Sequence, residues 1–302
     1  SVVLTAAAGS GYNWTNTSTA QSITVTSSGT YGVSVTNGQG CASIAAPVSI
    51  TVVPFPVLDA IAGSNTVCIG ATEAMSNTTT GGVWASSNAG VASVSSNGVV
   101  SGNNAGAATI SYTFTNASGC TSTVTKPIAV NVIPSAVVSA NGPTTFCAGG
   151  SVTLTAPAGM TYAWSTGEPS QAITVSTSGN YTVTITNANG CTATSAPVSV
   201  TVNALPTVAI APIGATTFCD GGAVTLISPL NSTYSYAWNA GSTAITGASN
   251  NTLIVSTSGN YTLTITDANG CTATSAAIPV TVNALPVVVA TAVGPTTFCA
   301  GG

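Results

Sequence analysis

The sequence predicts an all-β chain of small sandwich modules strung in tandem, and three observations predict it. Short segments alternate apolar residues with Thr or Ser, the period of two that half-buried strands require. Turn phrases such as STSGN, NANG and GG separate these segments. Eight cysteines, at 41, 68, 120, 147, 191, 219, 271 and 299, follow one another at gaps of 27, 52, 27, 44, 28, 52 and 28 residues, a regularity that marks repeated units. No segment carries a 3.6-residue apolar stripe with caps, so almost no helix is expected.

Two phrases frame the repeats. An opening phrase reads NGPTTFCAGG to Gly150, GATTFCDGG to Gly222 and GPTTFCAGG to Gly302. A closing phrase reads NGQGCAS around Cys41, NASGCTS around Cys120, NANGCTATSA around Cys191 and DANGCTATSA around Cys271. Spacing alone leaves connectivity open, but the repeat favours opening to closing within a module: Cys68 with Cys120, Cys147 with Cys191, Cys219 with Cys271. Cys41 then closes a module that has no opening cysteine, and Cys299 opens one that has no closing cysteine. These two fit each other as an inter-period pair. SVTLTA follows CAGG at Ser151, SVVLTA starts at Ser1, and the chain stops at CAGG. Opening cysteines lie 79, 72 and 80 residues apart, and wrapping onto a following copy adds 71, which completes the 302 residues. The chain therefore reads as an internal segment or processed product, one period of a longer array or head-to-tail filament. A rival reading is a free subunit whose C-terminal strand completes a neighbour's truncated first module by strand addition.

The modules follow in order. Five to seven strands in about 70 to 80 residues is the scale of an immunoglobulin-like sandwich. Residues 1–53 form such a module without its first strand and first cysteine. Residues 54–133 keep the cysteines but replace the middle strands with GVWASSNAGVASVSSNGVVSGNNAGAATISYTFTN, from Gly82 to Asn116. Residues 134–203 contain SVTLTA, TYAWST, AITVST, NYTVTIT and APVSVTV. Residues 204–283 repeat this with extra residues, AGSTAITGASNN, that lengthen a loop or add an edge strand. Residues 284–302 supply the first strand of a following module. Linkers such as TVNALPTVAI contain Pro and no Gly/Ser tract, which predicts stiffness and an extended rod on the order of 100 to 140 Å long.

Recurrent aromatics read as core: Trp14, Trp164 and Trp238 in the YxW segment, Tyr31, Tyr181 and Tyr261 after the SSG or TSG turn, and Trp84 in the second module. The competing reading is a sugar-stacking platform.

One basic residue, five acidic residues and no His leave charged side chains at 2 %, against the usual quarter. Asp59, Glu73, Lys126, Glu168, Asp220 and Asp267 are scattered singly, so no acid–base pair, catalytic site or calcium site is expected. One lysine does not build a phosphate-binding surface, so nucleic acid is excluded as a partner. No apolar run approaches the ~20 residues of a membrane span. Neither an enzyme nor a cofactor is expected.

The pattern FCxGGSVTLTA, YAWSTGEPSQAITVSTSGNYTVTITNANGC and SAPVSVTVN resembles the immunoglobulin-like and PKD-like repeats of very large Bacteroidota surface proteins exported by type IX secretion, gliding-motility adhesins among them. Through Trp84, SSN and GVVSG the second module resembles the bacterial Ig-like group 2 domain of intimin-type adhesins. The resemblance implies a secreted, cell-surface, load-bearing stalk or filament segment of an adhesin, serving attachment or gliding. Its partners would be adjacent copies of the repeat, with surface polysaccharide or substratum bound through other regions. The alternatives are a carbohydrate-binding array and, from the TVTIT and TLTIT runs, an ice- or crystal-binding surface.

Overall fold

A computed structural model describes residues 1–294, 296, 297 and 300. Every regular element among them is a β-strand, and none is a helix that could cross a membrane. The chain divides into two compact units, residues 1–133 and 134–302.

In the first unit, Val2–Thr5 pairs with Ser22–Val25, and Gly11–Trp14, Val33–Thr36 and Ala42–Ile44 form a three-stranded sheet. Gly29–Tyr31 pairs with Val48–Ile50. The core between them is small: Ala6, Trp14, Ile23, Val25 and Val33. The other sandwich of this unit sets Thr66–Cys68, Val83–Ser86 and the long hairpin Gly106–Thr115 with Thr121–Asn131 against a sheet of Thr72–Ala74, Ala92–Val94 and Val99–Gly102. Its core includes Met75, Val100, Ile110 and Ile128.

In the second unit the strand Val152–Thr155 lies between Ser139–Ala140 and Ala172–Val175. Facing it, Thr161–Trp164, Val183–Thr186 and Thr192–Thr194 form a second sheet, and the strand Val198–Asn203 pairs with both Thr145–Cys147 and Gly179–Tyr181. The same plan recurs from Ala211–Ile213 to Ile278–Asn283. The insertion in the last module makes an edge strand, Thr243–Ala244, paired with Asn239 and Ala240.

Alternation explains these sheets. In Val183–Thr186, Val183 and Ile185 point inward and are fully buried, while Thr184 and Thr186 face outward. The outer faces carry neutral cross-strand pairs in place of charges: Thr184 meets Thr194 and Thr264 meets Thr274 at 2.8 Å between hydroxyl oxygens.

Turn chemistry explains the closing phrase. Asn187 Oδ1 accepts hydrogen bonds from the backbone N–H of Asn189 and of Cys191, both at 3.0 Å. Asn37, Asn116 and Asp267 do the same before Cys41, Cys120 and Cys271. Gly190 stands at φ +79, a left-handed position where glycine alone is unstrained. NANGC is thus a β-hairpin.

Candidate functional site

Two neighbouring sandwiches meet inside the second unit, and their strand directions fix what lies at the boundary. Thr145–Cys147 runs parallel to Val198–Asn203, with Cys147 opposite Asn203, so the opening cysteine sits at the end where the chain leaves its module. The strand starting at Gly179 runs the other way, Gly179 opposite Val200 and Tyr181 opposite Val198. Following it through Thr186 leads to the NANGC hairpin at the entry end. About eleven residue levels separate Cys147 from that hairpin, roughly 35 Å. A disulfide needs Cα atoms about 4.4 to 6.8 Å apart.

The opening cysteine of one module therefore faces the entry hairpin of the next. Cys147 is bonded to Cys271, with Cα atoms 5.6 Å apart and 124 residues between them in sequence. This corrects the expected pairs. Cys147 is not joined to Cys191, nor Cys219 to Cys271, because each such pair occupies opposite ends of one sandwich. Cys219 and Cys120 are thiols, so Cys68, itself disulfide-bonded, is not joined to Cys120. Cys191 is also disulfide-bonded and fully buried. Cys41 is an exposed thiol. Its expected partner, Cys299, lies outside the described residues.

The recurrent aromatics lie inward. Trp14, Trp164, Trp238, Tyr181 and Tyr261 are buried, and Tyr31 and Trp84 are half-buried. Each Trp of the YxW segment donates its indole N–H to a loop carbonyl: Trp14 to Ala20 and Trp164 to Ser170 at 2.8 Å, Trp238 to Asn250 at 2.9 Å. Each Tyr of the second set donates its hydroxyl to the carbonyl four residues upstream, as Tyr181 does to Thr177 at 2.9 Å. Such a tyrosine corner fixes a strand's entry to the sandwich. Trp84 packs at 4.6 Å from Tyr112 between ring centres. None of these rings forms an exposed sugar-stacking row.

The ionisable residues serve local structure. Glu73 accepts from the Ser64 N–H, Lys126 donates to the Ile61 carbonyl, and Asp59 accepts from the Thr78 hydroxyl. Among the described residues no three His, Cys, Asp or Glu gather as metal ligands.

One concavity stands out. The sandwich at residues 2–50 has an open groove of about 580 Å³, lined by Leu4, Trp14, Tyr31, Val33, Val35 and Val48, with Cys41 at its wall. Val2, 46 % exposed, aligns with Val152 of the third module, 2 % exposed, and exposed Cys41 aligns with fully buried Cys191. Sequence reasoning read this module as lacking a strand but did not locate the groove.

Residues 49–124 match the bacterial Ig-like domain (group 2) family. No curated protein matches the chain. Among solved structures, extracellular domains 3–5 of Drosophila OTK are 14 % identical at a TM-score of 0.31, covering 77 % of this chain and all of that one. The N-terminal eight Ig domains of Down Syndrome Cell Adhesion Molecule give 15 %, 0.35, 91 % and 44 %. A Ca2+-stabilized adhesin with which an Antarctic bacterium reaches out and binds ice gives 17 %, 0.33, 92 % and 91 %. Strand plan, tyrosine corners and the domain match make these modules immunoglobulin-like β-sandwiches in tandem.

Proposed function

We propose that the chain is a load-bearing stretch of an extracellular stalk or filament belonging to a surface adhesin, with further copies of the same repeat as its neighbours. The observation that carries this reading is the Cys147–Cys271 bond, which joins two consecutive sandwiches. Tension applied outside the bond bypasses the 124-residue segment it closes. Disulfides persist in oxidising compartments, which favours a place outside the cytoplasm. Buried aromatics and scattered, locally engaged charges speak against a sugar platform or an acid–base site on these faces.

The narrower assignment, attachment or gliding with export by the type IX route, rests on the sequence resemblance to Bacteroidota repeats. In that setting the ligand is held by regions beyond these modules.

Single-molecule stretching of the chain, tethered at both ends, tests the mechanical role. Under oxidising conditions, rupture of the modules should release less contour than after reduction, by at least about 400 Å, the length of the segment that the Cys147–Cys271 bond closes. Equal extension in both conditions would refute it.

A further inference from the structure

We propose that the second module carries a socket for one neutral sugar residue, a free monosaccharide or the end of a glycan chain, with the Trp84 indole N–H as its central donor. The socket holds a single ring, unlike a platform of stacked exposed aromatics, and it stands independently of the mechanical role.

A donor left unused carries this inference. In the other three sandwiches the indole N–H of the YxW segment is taken by a loop carbonyl, that of Ala20, Ser170 or Asn250. In the second module the strand Val83–Ser86 runs on past Trp84, paired with Ile110–Thr113. Among the described residues the Trp84 N–H has no acceptor, and no buried side-chain nitrogen or oxygen lacks a partner. This N–H therefore reaches the surface although the ring is half-buried. An indole nitrogen only donates, so it asks for an acceptor from outside.

Trp84 lines a cavity of about 230 Å³ with Thr79, Thr80, Ser96, Asn97 and Tyr112. Gly98, next to Asn97, lies against the indole beside its nitrogen: a Cβ there would stand 3.0 Å from Cε2, the carbon bonded to Nε1. The walls are set before any ligand arrives. The Tyr112 hydroxyl accepts from the Gly82 N–H at 2.7 Å and donates to the Thr79 carbonyl. Asn77 ties the same loop, donating to the Asp59 carbonyl at 2.7 Å and accepting from the Thr79 N–H at 3.0 Å. Such preorganisation lowers the ordering cost of binding. No charged side chain lines the cavity, so an anion would meet no cation there and a metal ion no carboxylate. Ser96 donates to Asn97 Oδ1 at 3.0 Å, which leaves the Asn97 amide hydrogens to a ligand. Neutral hydroxyls, an amide and an indole N–H match a polyol, because each of its hydroxyls both donates and accepts, while its C–H face suits the apolar body of the rings. The cavity falls below the roughly 300 Å³ at which pockets for drug-sized ligands begin. One sugar ring is the occupant of that size.

The test uses the full chain, isotope-labelled, and records the indole N–H signals of its four tryptophans by NMR. The signal absent from Trp84→Phe belongs to Trp84. In deuterated water it should exchange away first, while those of Trp14, Trp164 and Trp238 persist. Methyl glucoside, methyl mannoside, methyl galactoside and N-acetylglucosamine are then titrated at millimolar concentration, with dextran and mannan as the chain-end arm. At least one of these should move the Trp84 signal saturably and leave the other three in place. Movement with a monosaccharide alone assigns a free sugar, and movement with a polymer as well assigns the end of a chain. Asn97→Ala, in an exposed turn, should weaken that binding about three- to tenfold, the worth of one neutral hydrogen bond, with the melting temperature unchanged. Trp84→Phe should weaken it likewise, read from the backbone amides of Ser96 and Asn97. A Trp84 signal that no probe moves, or that sodium acetate or glycerol moves as far as the best sugar, overturns the proposal. So does a Trp84 N–H as protected from exchange as the other three, or binding that both variants leave unchanged.

Discussion

Cys147 and Cys271 belong to different sandwiches, yet their Cα atoms stand 5.6 Å apart. The opening strand of one module and the entry hairpin of the next meet there, and the bond makes two domains one mechanical element. A bond closing so long a loop removes much denatured-state freedom, up to about 5 kcal/mol by loop entropy, with measured values more often 2 to 4.

Cys147→Ser should therefore lower the unfolding free energy of the segment 134–283 by about 2 to 5 kcal/mol. Denaturant titration followed by Trp164 and Trp238 fluorescence checks this, since both indoles lie in the two linked cores.

The indoles should matter far more than the surface threonines. Trp238→Ala removes a fully buried side chain and should cost about 3 to 5 kcal/mol. Trp238→Phe keeps most of the packing but strands the Asn250 carbonyl, for a cost of about 1 to 3 kcal/mol. Thr264→Ala, at an exposed cross-strand pair, should cost under about 1 kcal/mol. Thermal melts of the three variants give the order.

Asp267 supplies the hairpin acceptor that Asn37, Asn116 and Asn187 supply elsewhere. Asp267→Asn should be nearly neutral, whereas Asn187→Ala loses both acceptor contacts and should cost about 1 to 2 kcal/mol. Gly190→Ala meets no atom within 4 Å, so its penalty is conformational alone, about 1 to 2 kcal/mol. Gly98→Ala should cost more, because its Cβ would lie 2.5 Å from the Met75 carbonyl oxygen. Melting temperatures separate these cases.

How much of this was legible in the sequence depends on the range of the physics involved. Alternation in TVTIT, the STSGN turns and the spacing of Trp164 and Tyr181 act within a few residues, so the all-β sandwich could be read directly. The cystine partners could not be read that way. NANGC closes a module in sequence but lies at its entry end in space, because the strand from Gly179 runs antiparallel to Val198–Asn203. The directional signal was available in principle: a hairpin one strand removed from the last strand must point away from the exit. The groove beside Trp14 and Val33 is lined from several strands at once, so it could be located only with the sheets in place.

With no His and six scattered charges, folding should respond little to pH or salt. Circular dichroism melts between about pH 5 and 9, and from low to about 1 M salt, should agree within a few degrees. A cooperative transition near pH 6.5, where imidazole would titrate, would contradict this.

The most direct measurement is disulfide mapping of the oxidised chain by acid proteolysis and mass spectrometry, at low pH where thiols do not exchange. A linked pair of peptides carrying Cys147 and Cys271 is the expected result. Peptides joining Cys147 to Cys191, or Cys219 to Cys271, would contradict it and return each disulfide to a single module.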